Sequence, residues 1–351
     1  MKIIFKRTTP TYRNQLTTQQ VMLYLTATLI VVSLFSVGYY FTLGADYGIK
    51  ALLMIIASVV AAYLCEAGYF YLLKEKDIKK AVNNSFPYVT AILFALILPI
   101  GTPYYVVIFG SIFSILIGKL LFGGFGQNIF NPALIGRVFV MMSYGDKLTA
   151  VLPGKAVDGV ASATPTTIMS MGSWMGDSNI SLANLYLGFY KGSIGETFAV
   201  IIIIAGVFLA IKKVLDWRLP VFYIGTAFVI AFIAGMTHGL SPLHFALVHI
   251  GIGGLVFGGI FMLTDPVTSP VDPFVKILFA VGAAFFTMLL RFRSNMPEGV
   301  LYSILIMNML TPMIDKYTVK PTNKDESRKL IIVIAAMLVC SLLIALVWKG
   351  A

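Results

Sequence analysis

Apolar runs long enough to cross a membrane recur from one end of this chain to the other. The hydrocarbon core of a bilayer is about 30 Å thick, and a helix needs about 20 apolar residues to cross it. Within that core every backbone N–H and C=O must find a partner inside the segment, so a series of such runs folds as a helical bundle. Composition agrees: 58% of the 351 residues are hydrophobic and 12% are charged, where a soluble domain carries roughly a quarter charged residues. The expected fold is an all-α polytopic membrane protein of about 10–11 transmembrane helices. The first run, from Val21, is too long for a signal peptide and lacks a small-residue cleavage site.

The predicted spans cover 21–41, 51–73, 86–99, 104–122, 129–144, 197–211, 219–236, 243–263, 271–290, 299–314 and 330–348. The third is short and is stopped by Pro99, Gly101 and Pro103, which marks a tilted or broken helix. Lys2, Lys6, Arg7 and Arg13 precede the first span, and the basic 74–80 loop follows the second. Lys212, Lys213 and Arg218 follow the sixth span, and the charged 316–329 linker follows the tenth. Alternation from a cytoplasmic N-terminus puts all of these inside, as the positive-inside rule requires. The same rule accounts for the net charge of +11 without a nucleic-acid partner. The hydrophilic 145–195 loop then falls outside. So do Arg291 and Arg293, against the rule, which implies that these arginines have partners. The chain divides into a cytoplasmic segment (1–18), a first membrane half (19–144), an external loop (145–195), a second membrane half (196–315) and a charged linker with an extra span (316–351).

Phe122-Gly123-Gly124 followed by Asn131-Pro132-Ala133 matches Phe257-Gly258-Gly259 followed by Asp265-Pro266-Val267. Pro87 pairs with Pro220, and Thr102-Pro103 with Ser241-Pro242, at similar offsets. Paired Gly/Pro-interrupted segments point to a transporter-like core built from an internal repeat. Counting spans makes the halves parallel; a re-entrant Pro220 segment would invert them.

Gly123-Gly124-x-Gly126 follows a span rather than a strand, which excludes a dinucleotide-binding reading. It reads as a close backbone approach, with Asn128 and Asn131 satisfying freed backbone groups. Asp265 reads either as a helix cap or as a group that binds a cation or orients a cofactor. Glu66, inside the second span, is either functional or a hydrogen-bonded structural acid; Lys119 reads as snorkelling to the interface. His238, His244 and His249 lack carboxylate or cysteine company and read as structural, and Cys65 and Cys340 show no ligand spacing. Arg291-Phe292-Arg293 beside Pro297-Glu298-Gly299 suits either a bidentate phosphate clamp or an interfacial anchor.

The external loop contains the stretch Asp158 to Thr167, where the hydroxyls of Ser162, Thr164, Thr166 and Thr167 surround Pro165. A loop of this length in a compact domain is usually functional. Thr164, between Ala163 and Pro165, offers an uncrowded hydroxyl on a stiff backbone, which suits covalent modification; an ordinary turn-rich loop is the other reading.

Four motifs in this order resemble the D-type membrane component of the Rnf complex and its relative, the B-type component of the sodium-pumping NADH:quinone reductase. They are Gly123-Gly124-x-Gly126-x-Asn128-x-x-Asn131-Pro132-Ala133-Leu134-x-Gly136-Arg137, Ser162-Ala163-Thr164, Gly192-Ser193-Ile194-Gly195-Glu196 and Asp265-Pro266-Val267-Thr268. The length fits the Rnf component better. The resemblance implies FMN bound through a phosphoester to Thr164, installed by a flavin transferase outside the cytoplasmic membrane. The family pattern Ser-Gly-Ala-Thr reads Ala161-Ser162-Ala163-Thr164 here, so Thr166 and Thr167 are the rivals. Asp158, Ser162, Ala163, Pro165 and Thr166 would surround the attachment point. The resemblance also implies a core related to urea-channel folds and leaves room for a second, non-covalent flavin (riboflavin). Gly123, Gly124, Asn128, Asn131, Arg137 and Asp265 are candidates for lining that core or binding that flavin. The whole would be one component of a bacterial cell-membrane complex that relays electrons between reduced ferredoxin and NAD, coupled to sodium or proton movement. Its partners would be the other Rnf subunits, membrane and peripheral, with their iron–sulfur centres and flavins, together with membrane lipid. A complete active site is not expected in this chain alone. The competing expectation is a stand-alone solute channel or transporter on the same repeat, in which the external loop has no task.

Overall fold

The computed structural model describes residues 16–148, Thr166, 181–190, 192–294, 298–318 and 326–347. Asp158, Ser162, Ala163, Thr164 and Pro165 lie outside the described residues. Among the described residues the secondary structure is helical, without strands. Helix α1 (Thr18–Leu43) begins at a capping box in which Thr17 and Gln20 exchange hydrogen bonds, and the single residue Gly44, at φ 147°, turns the chain into α2 (Ala45–Leu72). Asp77 caps the short α3 (Ile78–Ser85), which is followed by α4 (Pro87–Leu96), α5 (Tyr104–Leu116) and α6 (Pro132–Tyr144). The long hydrophilic segment contains α7 (Leu182–Leu187), which the hydropathy pattern does not show. Then come α8 (Ala199–Ile211), α9 (Arg218–Thr237), α10 (Pro242–Gly251) and α11 (Leu255–Phe257), which runs on as a π-helical turn over Gly258–Met262. Helices α12 (Pro273–Arg293), α13 (Gly299–Thr318) and α14 (Glu326–Val347) complete the bundle.

Among the described residues, five helices are long and apolar enough to cross a membrane: Thr18–Leu43, Ala45–Leu72, Tyr104–Phe122, Arg218–Thr237 and Pro273–Arg293. The predicted 86–99, 197–211, 299–314 and 330–348 spans appear as the shorter apolar helices Pro87–Leu96, Ala199–Ile211, Gly299–Asp315 and Ala335–Ile344, and the predicted 243–263 span as a pair bent by 66°. The bend falls at Ile252–Gly254, where Gly253 takes φ 64°. The predicted 129–144 span starts later, at Pro132, because Asn131 accepts a hydrogen bond from Ala133 N and caps the helix there.

Packing relates the two halves. Helix α2 packs on α4 and α5, and α5 on α6; likewise α9 packs on α10 and α12, and α12 on α13. Both α4 and α10 are 10-residue helices with proline in the first turn. The structural partner of Pro87 is therefore Pro242, whereas Pro220 lies in the first turn of the full-length α9. Glu66, late in α2, meets Lys119 at the end of the bundle where Val214 and Leu215 lead into α9, so α2 ends where α9 begins and the repeat is inverted rather than parallel. The two glycine motifs are accordingly not equivalent: Gly123 and Gly124 turn at φ 111° and 95°, whereas Gly258 is helical at φ −61°.

Candidate functional site

Two half-helices end inside the bundle, and one turn joins their ends. In the turn Gly192–Glu196, Ile194 N donates to Leu98 O (3.0 Å) and Gly195 N to Leu96 O (2.7 Å), which fixes it to the break after α4. A Cβ on Gly195 would stand 2.6 Å from Leu96 Cβ, so the approach requires glycine. On its other side the Glu196 carboxylate rests against Gly254, in the break after α10. Arg291, at the end of α12, donates through Nη1 to His249 O and through Nη2 to Ile252 O (2.9 Å). A cation at the carbonyl end of a helix is favourably placed against the helix dipole. These are the partners that the position of Arg291 implies, and they replace both the phosphate clamp and the interfacial anchor for that residue.

Around this junction lies a cavity of about 270 Å³, lined by Ile97, Pro99, Arg137, Met141, Leu148, Thr166, Tyr190, Glu196, Arg291, Glu298 and Leu301 among others. Arg137 donates through Nε to Glu298 Oε2 (3.1 Å) and through Nη2 to Glu298 Oε1, a bidentate pair. Its Nη1 is buried without a hydrogen-bond partner among the described residues. Thr166 is buried here, its Cγ2 standing 2.9 Å from where a Cβ on Gly253 would sit. The buried Glu196 carboxyl faces Glu298, Arg137 and Arg291 and is hydrogen-bonded to the Ser193 side chain.

A second cavity of about 70 Å³ is lined by Phe86, Thr90, Lys119, Phe125, Asn128, Asn131, Phe261, Thr264 and Asp265 among others. It collects the start of α4 and of α6, whereas the first cavity collects the far ends of both, so the two lie at opposite ends of the bundle. Asn131 Nδ2 donates to Met262 O (3.4 Å) in the partition between them. Asn128 Nδ2 donates to Phe130 O (3.0 Å), so both asparagines satisfy backbone groups as expected. Asp265 accepts from Val267 N (3.1 Å) and the Thr268 hydroxyl (3.4 Å), which makes it a local turn cap that also borders the cavity. Gly124 and Gly126 have open space where a Cβ would stand, and both take positive φ, 95° and 85°. Glycine is needed there for backbone conformation rather than for close approach. Lys119 does not snorkel: it is buried, donating to Glu66 Oε1 (2.6 Å) and Ser85 O (2.5 Å). The end of α5 packs beneath α2, and this carries the ammonium to Glu66 rather than to the surface.

The sequence-predicted residues thus separate. Arg137 and Thr166 meet in the larger cavity; Asn128, Asn131 and Asp265 meet in the smaller. Tyr190 was not singled out, and Glu196 and Glu298 were named only within motifs. A carboxylate immediately before an apolar span was the available signal for Glu196.

A helical bundle with membrane-length apolar helices, two broken elements and a cavity towards each end defines a multi-pass membrane protein. Residues 6–324 match the NQR2, RnfD, RnfE family, and the chain belongs to it. It is 37% identical over 284 residues to the D component of the proton-translocating ferredoxin:NAD(+) oxidoreductase complex of Clostridium ljungdahlii, covering 78% of this chain and 84% of that one. It is 35% identical over 277 residues to the D component of the Na(+)-translocating ferredoxin:NAD(+) oxidoreductase complex of Acetobacterium woodii, covering 78% and 83%. The B component of the Na(+)-translocating NADH-quinone reductase of Ectopseudomonas mendocina is 33% identical over 273 residues, covering 76% and 67%.

Proposed function

We propose that this chain is the D-type membrane component of an ion-translocating ferredoxin:NAD oxidoreductase and that it carries FMN on the Thr164 hydroxyl. The observation that carries the reading is the larger cavity. It joins Thr166, two residues from Thr164, to a buried guanidinium with one unpartnered nitrogen. At about 270 Å³ it approaches the roughly 300–1,000 Å³ of small-molecule sites. Bound FMN would supply one- and two-electron chemistry. The remaining Nη1 of Arg137 would donate a hydrogen bond to the phosphoester, and Met141, Leu148, Val300 and Leu301 would border an apolar ring. The basic loops lie at the opposite end, which supports an outward-facing Thr166 end in a bacterial cell membrane, where a flavin transferase would act. The other members of the complex would deliver and remove electrons, with sodium or proton as the coupled ion. The amides of Asn128 and Asn131 suit a second, neutral flavin such as riboflavin, but a cavity of about 70 Å³ must widen to admit one.

The test is in-gel fluorescence of the denatured protein from cells that contain the flavin transferase. A fluorescent band that disappears in Thr164→Val is expected. An unlabelled wild-type band would overturn the FMN assignment and leave the solute-channel reading. A band that persists in Thr164→Val would move the attachment to Thr166 or Thr167.

A further inference from the structure

The larger cavity holds four formal charges that can cancel: Arg137 and Arg291 against Glu196 and Glu298. Three of the four are committed by geometry. Glu298 receives two hydrogen bonds from Arg137, and Arg291 gives two of its nitrogens to main-chain carbonyls of the α10 break. Glu196 differs. Its carboxylate is hydrogen-bonded to the Ser193 side chain and lies between the broken ends of α4 and α10, both of which present carbonyl ends to it. Helix carbonyl ends carry partial negative charge, so they oppose a second negative group. Any negative charge added to this cavity must be compensated, because unbalanced charge in a low-dielectric interior is costly.

We propose that Glu196 is the proton-exchanging group of this cavity, taking up one proton when an electron arrives there and releasing it when the electron leaves. This rests on the reading that FMN on Thr164 occupies the cavity. The balance is simple: the electron comes from the complex's own donor, the proton from water at the same end of the bundle. On uptake an O–H of a hydronium ion in that water breaks and the O–H of the Glu196 carboxyl forms; release is the reverse. The groups facing Glu196 are Glu298 ahead of α13, Arg137 on α6, Arg291 on α12, and Ser193 and Tyr190 on its own segment. Burial, the facing Glu298 and the two carbonyl ends all favour the neutral acid over the carboxylate. An electron nearby raises its proton affinity further, so the flavin potential must fall as pH rises through the range in which Glu196 exchanges its proton.

The experiment uses the intact complex. The potential of the Thr164-linked flavin is titrated spectroelectrochemically across neutral pH in wild type, Glu196→Gln and Glu196→Asp, with the fluorescent band scored in parallel. The proposal expects the band in all three, with the pH dependence reduced in Glu196→Gln to that of the flavin itself and retained in Glu196→Asp. A labelled Glu196→Gln with the wild-type pH dependence overturns the proton role while leaving the FMN assignment standing. An unlabelled wild type overturns both. Flavin-free Thr164→Val complex supplies a second readout should Glu196→Gln fail to assemble. Difference infrared spectroscopy should show a buried carboxylic acid titrating in it. Adding Glu298→Gln should move that titration to lower pH, by removing a facing negative charge and freeing Arg137. No such carboxyl, or one unmoved by Glu298→Gln, overturns the proposal.

Discussion

Taking two ions out of water costs several kcal/mol each, and Glu66 and Lys119 recover this from one another, from Ser85 O and from the Phe125 ring under the ammonium. Removing one partner strands the other. Glu66→Gln or Lys119→Met should lower unfolding stability in detergent by about 3–5 kcal/mol, and Glu66→Met with Lys119→Met should recover most of it. A double mutant no more stable than the worse single would show that the pair is not coupled. Asp216 is a more exposed case. Burial alone would raise its carboxyl, but a hydrogen bond from Lys276 Nζ (3.0 Å), one from Arg218 N (3.1 Å) and both cations hold it below its ordinary value. Its stabilising contribution is therefore present above the unfolded carboxylate value of about 3.9 and is lost as pH falls through the lowered folded value. Asp216→Asn should flatten the acid limb of a stability-versus-pH curve, as monitored by thermal unfolding. At this scale the sequence showed which charges lie among apolar residues, but not their pairing. Glu66 and Lys119 are 53 positions apart, and only the packing of α5 on α2 brings them together.

Helices α4 and α10 are each too short to cross a bilayer, and neighbouring segments hydrogen-bond carbonyls at their ends. The shortness of α4 could be read from Pro99, Gly101 and Pro103, which close its apolar run. That of α10 could not: residues 243–263 read as one continuous apolar run, and Gly253-Gly254 was the only cue to a break whose carbonyls Arg291 caps. Close helix packing elsewhere depends on small residues. A Cβ on Gly136 in α6 would stand 2.7 Å from Ser114 Cβ and 2.9 Å from Gly110 O in α5. Gly136→Ala should therefore cost about 1–3 kcal/mol through overpacking. Gly225→Ala in α9, where a Cβ meets nothing within 4 Å, should be neutral or stabilising. Thermal unfolding of the two variants distinguishes them; equal shifts would refute the packing argument.

At the scale of the molecule, the class and the family were legible from run lengths and ordered motifs. The inverted repeat was not, because the best motif match joins a left-handed turn at Gly123 to a helical segment at Gly258, which occupy non-equivalent places. Three-dimensional packing, not local sequence similarity, sets the pairing of α2 with α9 and of α4 with α10.

The two cavities approach one another from opposite ends, and the Asn131–Met262 hydrogen bond lies in what separates them. In electrical terms such a shape is a thin capacitor. Where water fills both cavities, the voltage across the membrane falls mainly over the partition rather than along the whole length of the helices. An elementary charge that crosses this partition works against nearly the full membrane potential, about 2.3 kcal/mol per 100 mV.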